Sequence, residues 1–298
     1  MINRRAFTTA AALLALPDSF RGGATAAEPT PEEVFAQIER SVGGRLGVAA
    51  LEAGTGRGLR YRAGERFPLC STFKLLAAAA VLSRVDAGQE SLERRIAYTA
   101  SDLVDYSPTT AARVTEGAIP LADLCEAAIT LSDNTAGNLM LSRIGGPSGL
   151  TRYLRERGDT VTRLDRTEPA LNEALPGDPR DTTSPDAMVA NLDRFVLGDA
   201  LATSSRARLQ EWLLANRTGA TRFRAGLPPD WRVGDKTGTG ERGTANDVGL
   251  LYPPDGAPIL AAVYLTESTG SPEQRNASIA QVARTIANNL KAQAHSSR

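Results

Sequence analysis

The chain predicts an α/β unit joined to an all-α lobe: an antiparallel five-stranded sheet, flanked by helices from the two chain ends, with a helical insert between its strands. Three observations predict this. Strand-like apolar runs gather before residue 63 and after residue 230, helical periodicity fills the span from Pro68 to Arg222, and a helix closes each end. Chemistry is expected at the seam between the two units, where clefts form.

The elements follow in order. Met1-Ile2-Asn3-Arg4-Arg5-Ala6-Phe7, an apolar run from Ala10 to Leu16 and then Ala24-Thr25-Ala26-Ala27 read as a cleavable export signal over residues 1–27. The adjacent arginines before Phe7 suggest the twin-arginine route, with an ordinary secretory signal as the alternative. Either one takes the mature chain out of the cytoplasm, to the periplasm or beyond. Thr30-Pro31-Glu32-Glu33 supplies a cap, a proline at the first helical position and a glutamate three after the cap, so a helix carrying Val34, Phe35 and Ile38 opens the mature chain. Residues 46–51 form a strand, Gly54-Thr55-Gly56 a turn, and residues 59–62 a second strand. Three more strands are expected at residues 231–236, 246–252 and 259–265, the last two joined by Pro253-Pro254-Asp255-Gly256. Ser271-Pro272-Glu273-Gln274 opens a last helix with Ile279, Val282, Ala283, Ile286 and Leu290 on one face. Domain limits follow: residues 28–67 with 223–298 for the sheet unit, and 68–222 for the helical lobe.

Composition narrows the function. Lysine plus arginine and aspartate plus glutamate number 34 each, so the chain has no bulk charge with which to hold nucleic acid or an anionic membrane. After the signal no segment is apolar for the length of a membrane span, and a monomer acting on a small molecule is the expectation. With two cysteines and one histidine, no metal or other cofactor is expected. Cys125 sits with Leu121, Leu124, Ala128 and Ile129 at helical spacing and reads as a buried small hydrophobe. Cys70 is either a packed thiol or a disulfide partner.

The single histidine, His295, lies three residues from the C-terminus, so a serine–histidine–aspartate hydrolase has no base here. Four polar motifs nevertheless hold the groups that acyl transfer needs. In Ser71-Thr72-Phe73-Lys74, at the start of an apolar helix, the spacing puts Ser71 and Lys74 one turn apart on one face. A lysine whose pKa is lowered by burial can take the serine proton, although a serine cap before a chance lysine gives the same four letters. Ser132-Asp133-Asn134 connects two helices, and either Asp133 or Asn134 could simply cap the second. Ser132 could also pass a proton to a leaving nitrogen, with Asn134 holding a substrate amide. Lys236-Thr237-Gly238-Thr239-Gly240 ends a strand, where Lys236 and Thr237 would meet a carboxylate, or is a plain hairpin turn. The fourth motif is Glu168-Pro169-Ala170-Leu171-Asn172, within a segment running from Arg166 to Asp181.

In this order and at these spacings the motifs resemble the class A serine beta-lactamases, over essentially the whole mature chain. The resemblance implies the beta-lactamase/penicillin-binding-protein-like fold and hydrolysis of the beta-lactam amide of antibiotics, hence resistance to them. It makes Ser71 the acylated nucleophile, with the backbone N–H groups of Ser71 and Thr239 as oxyanion hole. It places Ser132 beside the beta-lactam nitrogen, Lys236, Thr237 and Thr239 around the substrate carboxylate, and Tyr106 at the cleft mouth. An ion pair from Arg166 to Asp181 closes an omega loop over residues 166–181. On that loop Glu168 and Asn172 would hold the water that frees the acyl-enzyme, and the Glu168–Pro169 bond is commonly cis in the family. The base for acylation is left open between Lys74 and Glu168.

This sequence departs from the family in two places. Ala245 occupies the strand position where an arginine is common, and Arg222 matches the place from which some members supply the charge instead; a solvated arginine is the alternative. Ala78 stands where the cysteine partner of Cys125 would be. A penicillin-binding D-Ala-D-Ala peptidase and a beta-lactam sensor that stays acylated are the competing readings, and Glu168 argues against both.

Overall fold

A computed structural model describes residues 28–292, with side chains to residue 290. The expected export signal, residues 1–27, and His295 lie outside the described residues.

Five antiparallel strands form the sheet, in the order Gly58–Tyr61, Arg45–Glu52, Ile259–Thr266, Thr244–Tyr252 and Arg232–Gly240. Chain ends therefore meet at its centre, where Val48 lies opposite Val263. Every residue of Ile259–Thr266 is buried, and its side chains alternate between two cores. Ile259, Ala261, Val263 and Leu265 join Phe35, Ile38, Ile279 and Ile286 beneath the terminal helices Pro31–Val42 and Pro272–Ala292. Leu260, Ala262 and Tyr264 face the other way, into the core of the helical lobe. A sheet covered on both faces needs apolar residues at both parities, which is why this strand reads as a continuous run.

The first helix starts as its sequence dictates: the Thr30 hydroxyl accepts from the Glu33 amide at 3.3 Å, and the Glu33 carboxylate accepts from the Thr30 amide at 2.8 Å. The lobe is organised about the helix Phe73–Asp86, in which all ten residues from Phe73 to Leu82 are buried. No described helix is long and apolar enough to cross a membrane.

The fold class stands, with two corrections of detail. The helical lobe is not free of strands, since Arg95–Ala97 pairs with Ala118–Pro120 and Phe67–Pro68 with Thr182–Thr183. Runs of two or three residues are too short to show an alternating pattern. The strand expected at residues 231–236 continues to Gly240, because the Lys-Thr-Gly segment pairs along Thr244–Tyr252 as far as Gly240 opposite Thr244. Its polar and glycine residues hid that continuation. Cys70 and Cys125 are both buried free thiols, so no disulfide crosses the described part of the lobe.

Phe35 is fully buried between the sheet and the terminal helices. Phe35→Ala is expected to cost about 3–5 kcal/mol in urea unfolding. A loss below about 1 kcal/mol would mean that the outer layer does not hold the sheet.

Candidate active site

Ser71 sits in a single 3-10 turn, Cys70–Thr72, that runs into the helix Phe73–Asp86. Its approach is fixed from two sides: the Leu69 amide donates to the Asp181 carbonyl at 2.8 Å, and the Asn246 side chain donates to the carbonyls of Pro68 and Leu69. One helical turn on, the fully buried Lys74 Nζ donates to Ser71 Oγ at 2.8 Å, to the Ser132 carbonyl at 2.9 Å and to Asn134 Oδ1 at 2.6 Å. It also lies 2.9 Å from Glu168 Oε1. Burial lowers the Lys74 pKa, and the negative charge of Glu168 opposes that shift.

Glu168 is 2% exposed and accepts directly from Ser71 Oγ at 3.0 Å. In the free enzyme the carboxylate thus bonds the hydroxyl itself. Its backbone is clamped by a residue that the motifs did not flag. Asn138 accepts from the Glu168 amide and donates to the Glu168 carbonyl, both at 2.9 Å. Asn172 donates through Nδ2 to Glu168 Oε2, while its Oδ1 is buried without a hydrogen-bond partner. The Glu168–Pro169 peptide is cis. Arg166 Nε meets Asp181 Oδ2 at 2.6 Å, and Asp181 Oδ1 accepts the amides of Asp165 and Arg166, so the two ends of this segment are tied. The Glu241 amide donates to the Asn172 carbonyl at 2.9 Å, which joins the loop to the sheet.

On the opposite wall, Ser132 holds a left-handed backbone, φ 60°, and its Oγ accepts from Lys236 Nζ at 3.0 Å. Lys236 is fully buried and its second bond goes to the Thr237 carbonyl at 2.8 Å. It stands behind Ser132 rather than on the cavity wall, where the sequence reading had it meeting a carboxylate. Burial, reinforced by the positive charge of Lys74, holds the Lys236 pKa well below the usual lysine range. Asp133 is the helix cap, accepting from the Ala136 amide at 2.8 Å and from the amides of Thr109 and Thr110. Asn134 gives its oxygen to Lys74 and one amide hydrogen to the Asp105 carbonyl at 2.8 Å, leaving a single N–H for a ligand.

Arg222 is only 7% exposed, so the solvated alternative is wrong. Its guanidinium donates to Thr239 Oγ1 at 2.7 Å, to the carbonyls of Gly238 and Asn246 at 2.8 and 2.6 Å, and to Asn276 Oδ1 at 2.9 Å. Thr237 shares a hydroxyl hydrogen bond with Thr218. The result is a cavity of about 550 Å³ walled by Ser71, Ser132, Asn134, Asn172, Arg222, Thr237 and Thr239, with Tyr106 at its rim, 62% exposed. Arg217 and Thr218 also line it and belong to no motif. Glu241 pairs with Arg242 on the surface.

A buried serine between an amine and a carboxylate, under a cavity with hydroxyl and guanidinium donors, is the arrangement of a serine acyl-transfer enzyme. The comparisons agree. A model described as the beta-lactamase enzyme family matches residues 30–290. The chain is 49% identical to Beta-lactamase AST-1 of Nocardia asteroides, covering 86% of this chain and 82% of that protein. It is 47% identical to a beta-lactamase of Kitasatospora aureofaciens, covering 95% and 93%. Among solved structures, the ancestral class A beta-lactamase GNCA superposes with a TM-score of 0.86 at 59% identity, covering 88% of this chain and all of that one. The chain belongs to the beta-lactamase enzyme family, as a class A serine beta-lactamase.

Gly137 generates a test. A Cβ built there would lie 2.7 Å from Lys74 Cε, inside contact distance of a side chain that Ser132, Asn134 and Glu168 hold in place. Gly137→Ala is expected to lower the rate of Ser71 acylation at least about ten-fold by moving the ammonium. Stability should hold within about 1 kcal/mol, because alanine is the better helix former. Unchanged acylation would show that Lys74 tolerates displacement.

Proposed function

We propose that the protein opens the four-membered amide of beta-lactam antibiotics through an acyl-enzyme on Ser71 and releases the product with water activated by Glu168. The observation that carries this reading is the 2.5–3.0 Å network joining Ser71, Lys74, Glu168 and Asn172.

The substrate carboxylate is held by the Thr237 and Thr239 hydroxyls, with the Arg222 charge behind Thr239. Lys236 acts at one remove, through Ser132. Ser71 Oγ attacks the lactam carbonyl as its proton passes to Lys74 or Glu168, and the oxyanion is carried by the backbone N–H groups of Ser71 and Thr239. As the C–N bond breaks, Ser132 gives its proton to the leaving nitrogen, and the two lysines beside it resupply the proton. Lys236 donates to Ser132 Oγ, so the serine hydrogen is free to point at the substrate.

The acyl bond then changes the hydrogen bonding. Esterified Ser71 Oγ has no hydrogen to give Glu168, so the carboxylate oxygen it occupied is released. A water held there, accepted by the unpartnered Asn172 Oδ1, is placed to attack the ester, with Glu168 as its base. This second half-reaction separates the enzyme from a penicillin-binding peptidase or a drug sensor, which would stop at the acyl-enzyme. The same reading assigns residues 1–27 to a twin-arginine export signal and the mature protein to the periplasm as a monomer. It divides the chain into residues 28–67 with 223–298 and residues 68–222; the core shared by Phe35, Val48, Phe223 and Leu290 supports that division.

Glu168→Ala is expected to retain acylation by a chromogenic cephalosporin and to slow deacylation by about 10²–10⁴. Mass spectrometry should then find one drug equivalent on Ser71. Undiminished steady-state turnover would refute the role given to Glu168, and a single-equivalent burst from the unmutated enzyme would refute hydrolysis.

The acylation base is tested by pH. In Glu168→Gln the remaining base beside Ser71, among the described residues, is Lys74, whose burial lowers its pKa. Neutral amine is present above that lowered pKa and protonates below it, so single-turnover acylation should fall as pH drops through it. A flat profile would assign the proton to another group.

A further inference from the structure

A second cleft lies in the helical lobe, between the C-terminal half of the helix Phe73–Asp86 and the helix Gly146–Glu156, and shares no residue with the catalytic cavity. Its volume is about 360 Å³, enough for a small ligand. Arg84, Arg152 and Arg157 line it against one acid, Glu156.

Arg84 and Arg152 differ from the arginines that tie the rest of the molecule together. Arg143, Arg166 and Arg222 are each held by carboxylates or carbonyls. Among the described residues, by contrast, the side chains of Arg84 and Arg152 have no hydrogen bond or ion pair, and Arg84 Nε is buried without a partner. Tyr153 Oη, in the same wall, is likewise buried and unpartnered. Few buried donors go unpaired in native structures, so two at one cleft call for a partner from outside the chain. The surroundings are rigid: the Tyr153 ring stacks on Phe195 with centroids 5.6 Å apart, and Arg157 lies over the Tyr153 ring while donating to Ser83 Oγ at 3.0 Å.

We propose that this cleft binds a small polyanion bearing phosphate or carboxylate groups. Arg84 and Arg152 supply the planar, charge-assisted donors that such groups accept in pairs, and the Tyr153 hydroxyl adds a neutral one. The floor of the cleft is Ala80 and Ser83, on the same helix whose first turns carry Ser71 and Lys74, so the anion would brace that helix from its far end.

The experiment is calorimetric titration of the mature protein with inorganic pyrophosphate and, separately, citrate, at constant ionic strength. Saturable binding of either is expected, with a melting temperature that rises with its concentration. A response to pyrophosphate alone identifies a phosphate site, and to citrate alone a carboxylate site. Arg152→Gln, on the exposed side of the helix, should weaken binding about ten-fold, the loss of one charge-assisted hydrogen bond. Arg84→Gln combined with Arg152→Gln should abolish it. Arg284→Gln, on the far terminal helix, should leave it unchanged, as should cephalosporin turnover in all three variants. The proposal is overturned if neither anion binds saturably, or if affinity in Arg152→Gln and in the double variant equals that of the unmutated protein.

Discussion

Two lysine side chains buried completely within one seam set the terms for everything around them. An ammonium removed from water is stable only if acceptors surround it, and it loses its proton more readily than in solvent. Lys74 finds four acceptor groups within 3 Å: Ser71 Oγ, the Ser132 carbonyl, Asn134 Oδ1 and Glu168 Oε1. They come from three of the four motifs, which are in effect a single solvation shell, and Lys236 of the remaining one joins it through Ser132 Oγ. The same burial that makes these partners obligatory lowers the pKa of the Lys74 amine, and the Glu168 charge opposes that shift.

The charge balance extends behind the sheet edge. Asp235, next to Lys236, accepts from Asn216 Nδ2 at 2.7 Å and from Arg224 at 2.6 Å. Asp247, fully buried, accepts from the Phe223 amide at 3.1 Å. Burial pushes the pKa of both carboxyls up, that of Asp247 well up because Asp235 adds its charge, so the pair holds a proton more readily than free aspartates do. Arg222 lies on the cavity wall and Lys236 behind Ser132, with this acid pair close to both. A positive cavity wall backed by carboxyls can attract a substrate carboxylate without leaving net buried charge uncompensated.

Sequence alone carried the fold class and most of the site because both are written in local patterns. The capped first helix, the doubly buried strand Ile259–Thr266 and the serine–lysine spacing each depend on residues within one or two turns of each other. What escaped depends on long-range contact. Asn138 looks like any polar residue on a helix, and only the folded loop brings it to both backbone groups of Glu168, thirty residues on. Arg217 and Thr218 line the cleft because the chain after Trp212 passes the sheet edge, which no spacing reveals. Arg222 could be read as solvated or functional until its carbonyl partners on Gly238 and Asn246 were seen. The strand through Lys236 was shortened because alternation fails where glycine and threonine replace apolar residues, at the very segment left clear for a ligand.

Backbone strain is distributed in the same way. Of the non-glycine residues with left-handed φ, Cys70 at 44°, Tyr106 at 60°, Ser132 at 60° and Asp181 at 56° lie beside the nucleophile, at the cleft rim, on its wall and at the loop closure. Each such conformation costs of order 1–3 kcal/mol and persists only where neighbours over-determine it. Here the neighbours are identifiable: the Tyr106 carbonyl accepts the Asn134 amide, the Asp181 carbonyl accepts the Leu69 amide, and the Ser132 carbonyl accepts Lys74. Tyr106 and Ser132 are thus pinned through their own carbonyls to the motifs, and Asp181 to Leu69, two residues before Ser71. Relaxing Tyr106 or Ser132 would break a bond to Asn134 or Lys74, so strain at these two cannot be lowered without disturbing the arrangement around Lys74. The stability given up at these positions is offset by the two apolar cores on either face of the sheet.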